Sequence, residues 1–229
     1  MAYEGEYNLE VMDGADNYNN YLFNKLRKNI TSDVCTILDF GAGNGLFARK
    51  LQKNYPSIKV SALEPAENLH SFYADDALNL VSLLDKIPDD SQDLIYSFNV
   101  FEHIENDLEY LKKLKEKLKS GGKMIIYVPA FPILFSAMDR EVGHWRRYTR
   151  RELKSKVTAA GFIVNHCRYM DGVGWFASLA YKWSKPRSGR LNPKSVKFYD
   201  RWIMPLSIVW DYLTLGLLLG KNLWLEAEK

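Results

Sequence analysis

Cysteine is scarce in this sequence, and neither sign of charge dominates it. The 229 residues include two cysteines, Cys35 and Cys167. They form no metal-type pair and no disulfide framework, so we predict no metal site and a reducing, cytoplasmic location. The 31 basic and 28 acidic residues leave a net charge of +3, which is too small for a protein that wraps nucleic acid.

The sequence also shows no recognisable signal peptide, tandem repeat or low-complexity linker. The N-terminal segment MAYEGEYNLE has no basic region and no apolar core, so no signal peptide is expected. Apolar residues make up 47% and charged residues 26% of the chain, which is ordinary globular usage and excludes disordered, collagen-like and coiled-coil proteins. The length suits one large domain or two small ones.

Strand-like and helix-like segments alternate along most of the chain. Apolar residues at helical spacing predict helices late in residues 1–36, over 46–55, over 106–119 before Gly121 and Gly122, and from a Thr149–Glu152 capping box to Gly161. Such alternation predicts an α/β domain with a largely parallel sheet. The predicted strands are residues 36–40, 58–63, 79–84, 93–98, 123–128, 162–169 and 222–227.

The segment ILDFGAGNG is the most informative in the chain. Gly41, Gly43 and Gly45 lie between a predicted strand and a predicted helix, where glycines allow a tight turn and close approach of a ligand. Leu46 stands where the dinucleotide fingerprint has its third glycine. Asp39 precedes the turn and would repel a pyrophosphate, whereas it suits a ligand that carries an ammonium and a sulfonium group. The alternative is a plain turn capped by Asp39.

Glu64 ends the second predicted strand. An acidic side chain at this point can accept both hydroxyls of a ribose and would reject a 2′-phosphate, which disfavours NADP. The alternative is a surface glutamate in a loop.

These residues resemble a known family. ILDFGAGNG, Glu64, IPDDSQDLIYSFNVFEHI and LKSGGKMIIYVP follow the order found in class I S-adenosylmethionine-dependent methyltransferases of the broad group that includes the ubiquinone and menaquinone C-methyltransferases. The resemblance covers about residues 36–170. DNYNNYLF and GHWRRYTRREL are similar to segments of one bacterial subgroup.

The resemblance implies that S-adenosylmethionine is bound and S-adenosylhomocysteine released. Asp39 and the turn residues Gly41, Ala42, Gly43 and Gly45 would hold the methionine end. The remaining roles follow by position: Glu64 on the ribose, Pro65 and Ala66 beside the adenine, Leu83 and Leu84 at the adenine-recognition positions, Asn99 and His103 near the methyl group, and Tyr18 over the carboxylate. Many relatives have an acidic residue where Leu83 stands, so adenine recognition by Asp85 or by backbone groups is the alternative.

Methyl transfer from a sulfonium needs mainly alignment and exclusion of water, and a base only if the nucleophile must lose a proton. His103 and His144 are the predicted catalytic residues, with Asp139 and Tyr148 as further candidates. Arg146 and Arg147 beside His144 either bind an anionic group of the acceptor or pair with acids such as Glu141 and Glu152.

The C-terminal third is rich in tryptophan. Residues 182–201 hold seven basic residues, and residues 202–220 hold a single charge, Asp211. This pattern suits either a peripheral membrane contact through 182–220 and a lipid-like acceptor, or a helical cap over the active site. Pro205 and Asp211 argue against a membrane span.

We therefore predict one methyltransferase domain with a Rossmann-like, seven-stranded, mostly parallel sheet, helices on both faces and a C-terminal helical cap. The last strand is expected to be antiparallel, and the expected partner is a small-molecule acceptor. The predicted division is a helical lead-in over 1–35, a cofactor-binding core over 36–170, a cap over 171–220 and a final strand over 221–229. The alternatives are an NAD-dependent oxidoreductase and a binding protein that has lost the transfer reaction.

Overall fold

The computed structural model describes residues 5–74, 78–184 and 189–229. Within them, seven strands form one sheet in the order β3-β2-β1-β4-β5-β7-β6. The strands are β1 (Thr36–Phe40), β2 (Lys59–Leu63), β3 (Asn79–Val81), β4 (Gln92–Phe98), β5 (Leu118–Pro129), β6 (Ile163–Met170) and β7 (Asn222–Glu228).

The strand directions confirm the predicted mostly parallel sheet. Neighbours from β3 to β5 pair in parallel, whereas β7 runs antiparallel to both β5 and β6. Pro129 of β5 and Met170 of β6 both pair with Asn222, so the two strands end at the same edge of the sheet. The loops that follow β1, β2, β4, β5 and β6 therefore meet at this carboxyl edge, where open α/β sheets bind ligands.

Nine α-helices lie in the described residues. They are α1 (Glu6–Asp13), α2 (Asp16–Leu26), α3 (Leu46–Asn54), α4 (Asp107–Lys117), α5 (Ala137–Glu141), α6 (Arg150–Ala159), α7 (Gly172–Trp183), α8 (Pro193–Phe198) and α9 (Met204–Thr214), and a π-helix (Tyr199–Ile203) joins the last two. The predicted cap of α6 is present, because the Thr149 hydroxyl accepts a hydrogen bond from the Glu152 N–H.

The sheet separates two apolar layers. Adjacent residues on one strand point to opposite faces, and Ile37 and Leu38 accordingly belong to different layers, as do Ile125 and Ile126. All four side chains are fully buried. A sheet covered on both faces explains why its central strands are continuous apolar runs.

Two predicted boundaries were wrong. The third strand ends at Val81, and Leu84 begins a short 3-10 helix instead. Helix α4 ends at Lys117, and β5 starts at the next residue, so Gly121 lies within the strand and does not stop the helix. Gly121 has φ +73°, and the β4–β5 pairing is irregular between Gln92 and Leu94, which is where the extra residues are accommodated.

The segment between β6 and β7 is helical, as predicted for a cap. Helix α9 ends at Thr214, and Leu215 takes a left-handed conformation with φ +52°, so 202–220 is not one helix. None of the helices in the described ranges has the length and apolar character needed to cross a membrane. Lys185 and Arg187 of the basic run lie outside the described residues.

A buried polar cluster fixes this segment to the sheet. The Asp171 carboxylate accepts hydrogen bonds from the Tyr199 hydroxyl and the Ser207 hydroxyl, each at 2.6 Å, and forms an ion pair with Lys221 at 3.1 Å. The Asp211 carboxylate accepts hydrogen bonds from the backbone N–H groups of Asp171 and Gly172. Asp211 therefore stabilises a helix junction, which is why an otherwise apolar stretch contains it.

Candidate active site

The glycine turn joins β1 to α3 at the carboxyl edge. Gly41, Gly43 and Gly45 all have positive φ, at +77°, +56° and +80°, a conformation that glycine adopts without strain. A Cβ on Gly41 would also collide with the Val100 side chain. The turn thus requires glycines for backbone geometry and for close packing of the loop after β4.

Glu64 links this turn to the loop after β2. One carboxylate oxygen accepts the Gly43 N–H and the other accepts the Ala66 N–H, each at 2.8 Å. The side chain is buried, and burial raises the pKa of the Glu64 carboxyl. The alternative of a surface glutamate is excluded by this burial, and the carboxylate lies where a ligand at the turn would meet it.

Asp39, the last residue but one of β1, is also buried. Burial is the main cause that raises the pKa of its carboxyl to about 7; the Tyr96 hydroxyl opposes the change, and the nearby Glu64 charge adds to it. A cationic ligand group beside Asp39 would favour the charged carboxylate. Two buried acids beside the glycine turn therefore fit a ligand with positive charge.

Helix α1 covers the glycine turn, a placement that the sequence analysis missed. The Asp13 carboxylate accepts a hydrogen bond from the Asn44 side chain at 2.6 Å, and the Leu9 side chain lies against Gly43. The Tyr73 hydroxyl donates to the Gly43 carbonyl at 2.9 Å. The polar lead-in holds no recognisable motif for this contact, which depends on residues far apart in the chain.

The residues predicted to surround the adenine lie in the loops that follow β2 and β3, two neighbouring strands of the sheet. Pro65 is exposed, whereas Ala66 and Leu84 are buried. Leu83 exposes 58% of its surface, so it offers an apolar side chain to a ligand face and no hydrogen bond. The assignment of these residues to the adenine stays a prediction.

Tyr18 and Asn99 meet close to the end of β4. Tyr18, on α2, is buried with its ring against Tyr127 at a centroid distance of 6.3 Å. Burial raises the pKa of the Tyr18 hydroxyl to about 12, and neighbouring Tyr127 and Asn99 oppose the shift. Asn99 is exposed with φ +54°. The tyrosine hydroxyl is therefore a neutral donor next to an accessible amide, and the proposed contacts with the cofactor stay predictions.

A second cluster lies beyond Asn99. Glu102 and His103 belong to the 3-10 helix after β4 (Phe101–His103), and His144 comes from the loop before α6. The His103 and His144 rings meet edge to face, with centroids 4.6 Å apart. The structure thus brings together the two histidines that the sequence analysis named as catalytic. Glu102 was missed there, although it stands beside His103 in the motif FNVFEHI.

Asp139 supports this cluster and is not a free base. Its carboxylate accepts hydrogen bonds from Arg147 Nε at 2.8 Å and from the Ser136 N–H at 2.8 Å, and it contacts His144 Nδ1 at 2.8 Å. Burial alone would raise the pKa of Asp139, but His144 and Arg147 outweigh it and hold that pKa well below its usual range. Asp139 was a further catalytic candidate in the sequence, but these contacts give its side chain a structural role.

Tyr148 and Arg146 are likewise bound by Asp107. The buried Tyr148 hydroxyl donates to Asp107 at 2.7 Å, and Arg146 Nη1 donates to the same carboxylate at 3.1 Å. Burial and the Asp107 charge raise the pKa of Tyr148 far above its usual value. The arginine partners are Asp107 and Asp139 rather than Glu141 and Glu152, and contact of these side chains with an acceptor stays a prediction.

The C-terminal helices reach the same side of the molecule as α1 and α2. The Asp200 carboxylate accepts the N–H groups of Asn17 and Tyr18, at 3.0 and 2.8 Å. The Leu191 N–H donates to the Asn8 side chain. Residues 189–214 therefore pack against α1 and α2, and their role as a cap over the active site stays a prediction.

Comparisons with known proteins agree with this architecture. A family model described as a methyltransferase domain matches residues 14–166. The chain is similar to a eugenol O-methyltransferase of Ocimum basilicum, with 27% identity over 54% of this chain and 35% of that protein. It is also similar to a malonyl-[acyl-carrier protein] O-methyltransferase of Ilyobacter polytropus, with 22% identity over 69% of this chain and 66% of that protein. The chain thus spans less than two thirds of each relative.

Solved structures share the fold at low identity. An S-adenosylmethionine-dependent methyltransferase of Archaeoglobus fulgidus matches with a TM-score of 0.60 and 18% identity over 92% of this chain and 94% of the other. A phosphoethanolamine N-methyltransferase of Haemonchus contortus, solved with S-adenosylmethionine, matches with a TM-score of 0.62 and 15% identity over 93% and 52% of the two chains. The family model covers more than half of the sequence, and the glycine turn and Glu64 directly follow β1 and β2 at the carboxyl edge of the sheet; the chain belongs to the family of S-adenosylmethionine-dependent methyltransferases.

Proposed function

We propose that this chain binds S-adenosylmethionine across the glycine turn and transfers its methyl group to a small-molecule acceptor. The observation that carries the proposal is the Glu64 carboxylate held between the Gly43 and Ala66 N–H groups. That position suits a ribose, because a carboxylate oxygen still accepts further hydrogen bonds. The buried Asp39 supplies negative charge for an ammonium group.

The cofactor supplies an activated methyl group on a positively charged sulfur. In a direct displacement the acceptor atom bonds to the methyl carbon while the carbon–sulfur bond breaks, and its electron pair stays on the sulfur. The leaving thioether is neutral and needs no acid. The work of the protein is therefore to align the two reactants and to exclude water. Helix α1 lies over the turn, and in this proposal the helices between β6 and β7 complete the cover.

The acceptor is proposed to be a lipid-like or aromatic molecule with an oxygen nucleophile. Both similar proteins named above are O-methyltransferases, which favours oxygen. Aromatic side chains extend from the loop after β5 into α7: Phe131 stacks on Tyr169, and Trp175 meets Phe131 edge to face. Pockets for small molecules are mostly apolar with a few polar groups, and this patch lies at the carboxyl edge.

An exposed apolar stripe favours an acceptor delivered at a membrane surface. Its five apolar side chains each expose more than half of their surface, and three exposed cations lie among or just before them in the chain. Apolar and basic groups on one helical face suit an anionic bilayer surface. We call these eight residues the C-terminal stripe. Its apolar members are Phe198, Trp202, Leu206, Val209 and Leu213, and its cations are Lys194, Lys197 and Arg201.

Two measurements test the proposal. Titration calorimetry of the full chain with S-adenosylhomocysteine and with NAD identifies the cofactor, and only the former is expected to bind. Incubation with methyl-labelled S-adenosylmethionine and a panel of phenols, acyl carboxylates and lipid precursors then detects transfer. Binding of NAD alone would support the oxidoreductase alternative. Binding of S-adenosylhomocysteine with no transfer to any member of the panel would favour the silent binding protein.

A further inference from the structure

Three side chains of the second cluster converge on a common point. One ligand atom from each of Glu102, His103 and His144 lies within 4.8 Å of the others. His144 Nε2 is 3.8 Å from Glu102 Oε1. The His103 ring is oriented by hydrogen bonds to the backbone of Val142 and Gly143. Two imidazoles and one carboxylate therefore face each other across a small gap.

Glu102 is the unusual member of this set. The residue is completely buried, and neither carboxylate oxygen has a hydrogen-bond partner among the residues that the structure describes. Buried carboxylates are normally paired or bound to metal, since an isolated charge costs several kcal/mol to bury. The position of Glu102 beside two histidine rings thus points to a cation between them.

The surroundings of His144 match those of a metal ligand. Asp139 Oδ1 lies 2.8 Å from His144 Nδ1, so that nitrogen donates a hydrogen bond and Nε2 keeps its lone pair. Asp139 is itself fixed by Arg147 and by Ser136. A carboxylate behind the imidazole sets the tautomer and the ring orientation of many metal-bound histidines.

We propose that Glu102, His103 and His144 bind a divalent transition-metal cation of the Zn²⁺ class. Imidazole nitrogens together with one carboxylate suit Zn²⁺ and similar ions, whereas Mg²⁺ and Ca²⁺ prefer sets of oxygen ligands. Metal–ligand bonds of about 2.0–2.2 Å require the three side chains to close slightly around the ion. Three protein ligands leave one position open. We expected no metal site because the two cysteines form no metal-type pair. The spacing of cysteines cannot reveal a set of histidine and carboxylate ligands that comes from distant segments of the chain.

The site lies close to the glycine turn. Val100, two residues before Glu102, packs directly against Gly41. The role of the cation rests on the proposed function: at the open position it would bind the acceptor hydroxyl and lower its pKa. The hydroxyl proton would pass to bulk water. The resulting oxyanion would form the bond to the methyl carbon while the carbon–sulfur bond breaks and its electron pair stays on sulfur.

Metal binding can be measured without any acceptor. The full chain carrying Cys35→Ser, which removes an exposed thiol, is stripped with chelator and titrated with Zn²⁺ against a chromophoric chelator. Co²⁺ loading followed by visible absorption reports the ligand geometry. The variants are Glu102→Gln and His144→Gln, which preserve side-chain size, and the matched control is His166→Gln on the exposed side of β6. Thermal unfolding of each metal-free variant checks that it is folded.

We expect one Zn²⁺ per chain, an affinity reduced at least about tenfold in Glu102→Gln and in His144→Gln, and no change in His166→Gln. Mg²⁺ should not compete. Equal Zn²⁺ affinity in all four proteins, or no binding by the parent chain, would overturn the site. S-adenosylhomocysteine is titrated into the same metal-free and metal-loaded samples. If Zn²⁺ binds but S-adenosylhomocysteine does not, the proposed function is contradicted and the metal site is not.

Discussion

The Glu64 carboxylate accepts a hydrogen bond from the backbone N–H of Gly43, with 2.8 Å between Oε2 and N. This contact ties the loop after β2 to the glycine turn, the two segments across which we propose that the cofactor binds. It also explains why a buried acid is tolerated, because the second carboxylate oxygen is bound by Ala66.

Replacement of Glu64 should weaken cofactor binding. Glu64→Gln keeps the shape of the side chain but removes its charge and one acceptor oxygen. The loss of one charge-assisted hydrogen bond of about 1.5–3 kcal/mol corresponds to about a 10- to 150-fold weaker affinity for S-adenosylhomocysteine. Titration calorimetry measures it. Glu67→Gln, at an exposed position in the same loop, should bind as the parent does, and unchanged affinity in Glu64→Gln would remove Glu64 from the ribose site.

The titration of Asp39 should make folding and cofactor binding depend on pH in opposite ways. Its pKa in the folded chain is about 7, against an ordinary 3.8, so the folded state holds the proton more tightly than the unfolded state. This contribution to stability, about 4 kcal/mol at most, is complete below pH 3.8 and is lost as the pH rises through 7. Asp39→Asn should remove that dependence and be the more stable protein above pH 7, as measured by chemical unfolding.

We expect cofactor binding to require the charged form of Asp39, because the proposed ligand carries an ammonium group beside it. Affinity for S-adenosylhomocysteine should therefore fall by about tenfold per pH unit below about pH 7, with a proton released on binding. Calorimetry in buffers of different ionisation enthalpy counts that proton between about pH 5.5 and 7. A flat pH profile in the parent chain, or a sloping one in Asp39→Asn, would contradict the role of Asp39.

Local patterns identified most of the sheet and the cofactor turn from sequence alone. Strand runs such as TILDF and DLIYSF carry their own signal, because the apolar period and the flanking turn residues are local. The predicted start of β5 was wrong because it relied on such a local signal. The glycines at 121 and 122 are typical of a helix end, but here they lie within a strand that pairs with β4.

The parts of the site that escaped prediction depend on contacts between distant segments. Asp107 binds Tyr148 and Arg146 across the gap between α4 and the loop before α6, and no spacing rule connects them. No spacing rule connects Asp13 with Asn44 either, although the Asp13 carboxylate accepts a hydrogen bond from the Asn44 side chain. The sequence analysis named the two histidines that meet in this cluster, but only the fold shows that Asp107 and Asp139 pair with arginine whereas Glu102 has no hydrogen-bond partner among the described residues.

Helix α1 should control how fast the cofactor leaves. The hydrogen bond between Asp13 and Asn44 fastens α1 to the glycine turn at a partly buried position. Asp13→Ala should loosen it by about 1 kcal/mol, which is about fivefold faster dissociation of S-adenosylhomocysteine in stopped-flow displacement and faster amide exchange in residues 6–13. Glu10→Ala, at an exposed position on the same helix, is the control. Equal rates in both variants would show that α1 does not limit release.

The C-terminal stripe should recruit the protein to anionic membranes. Its exposed apolar residues and cations share one face of the segment 194–213, and each basic residue near an anionic surface contributes about 1 kcal/mol. In flotation with phosphatidylserine-containing vesicles at low salt, Lys197→Gln should bind about fivefold more weakly and Trp202→Ser should bind less, whereas Lys112→Gln on α4 should match the parent. Recruitment should also decline as salt shortens the screening length. If the parent chain does not float with anionic vesicles at low salt, the stripe has no membrane role, and the C-terminal helices act only as a cover over the active site.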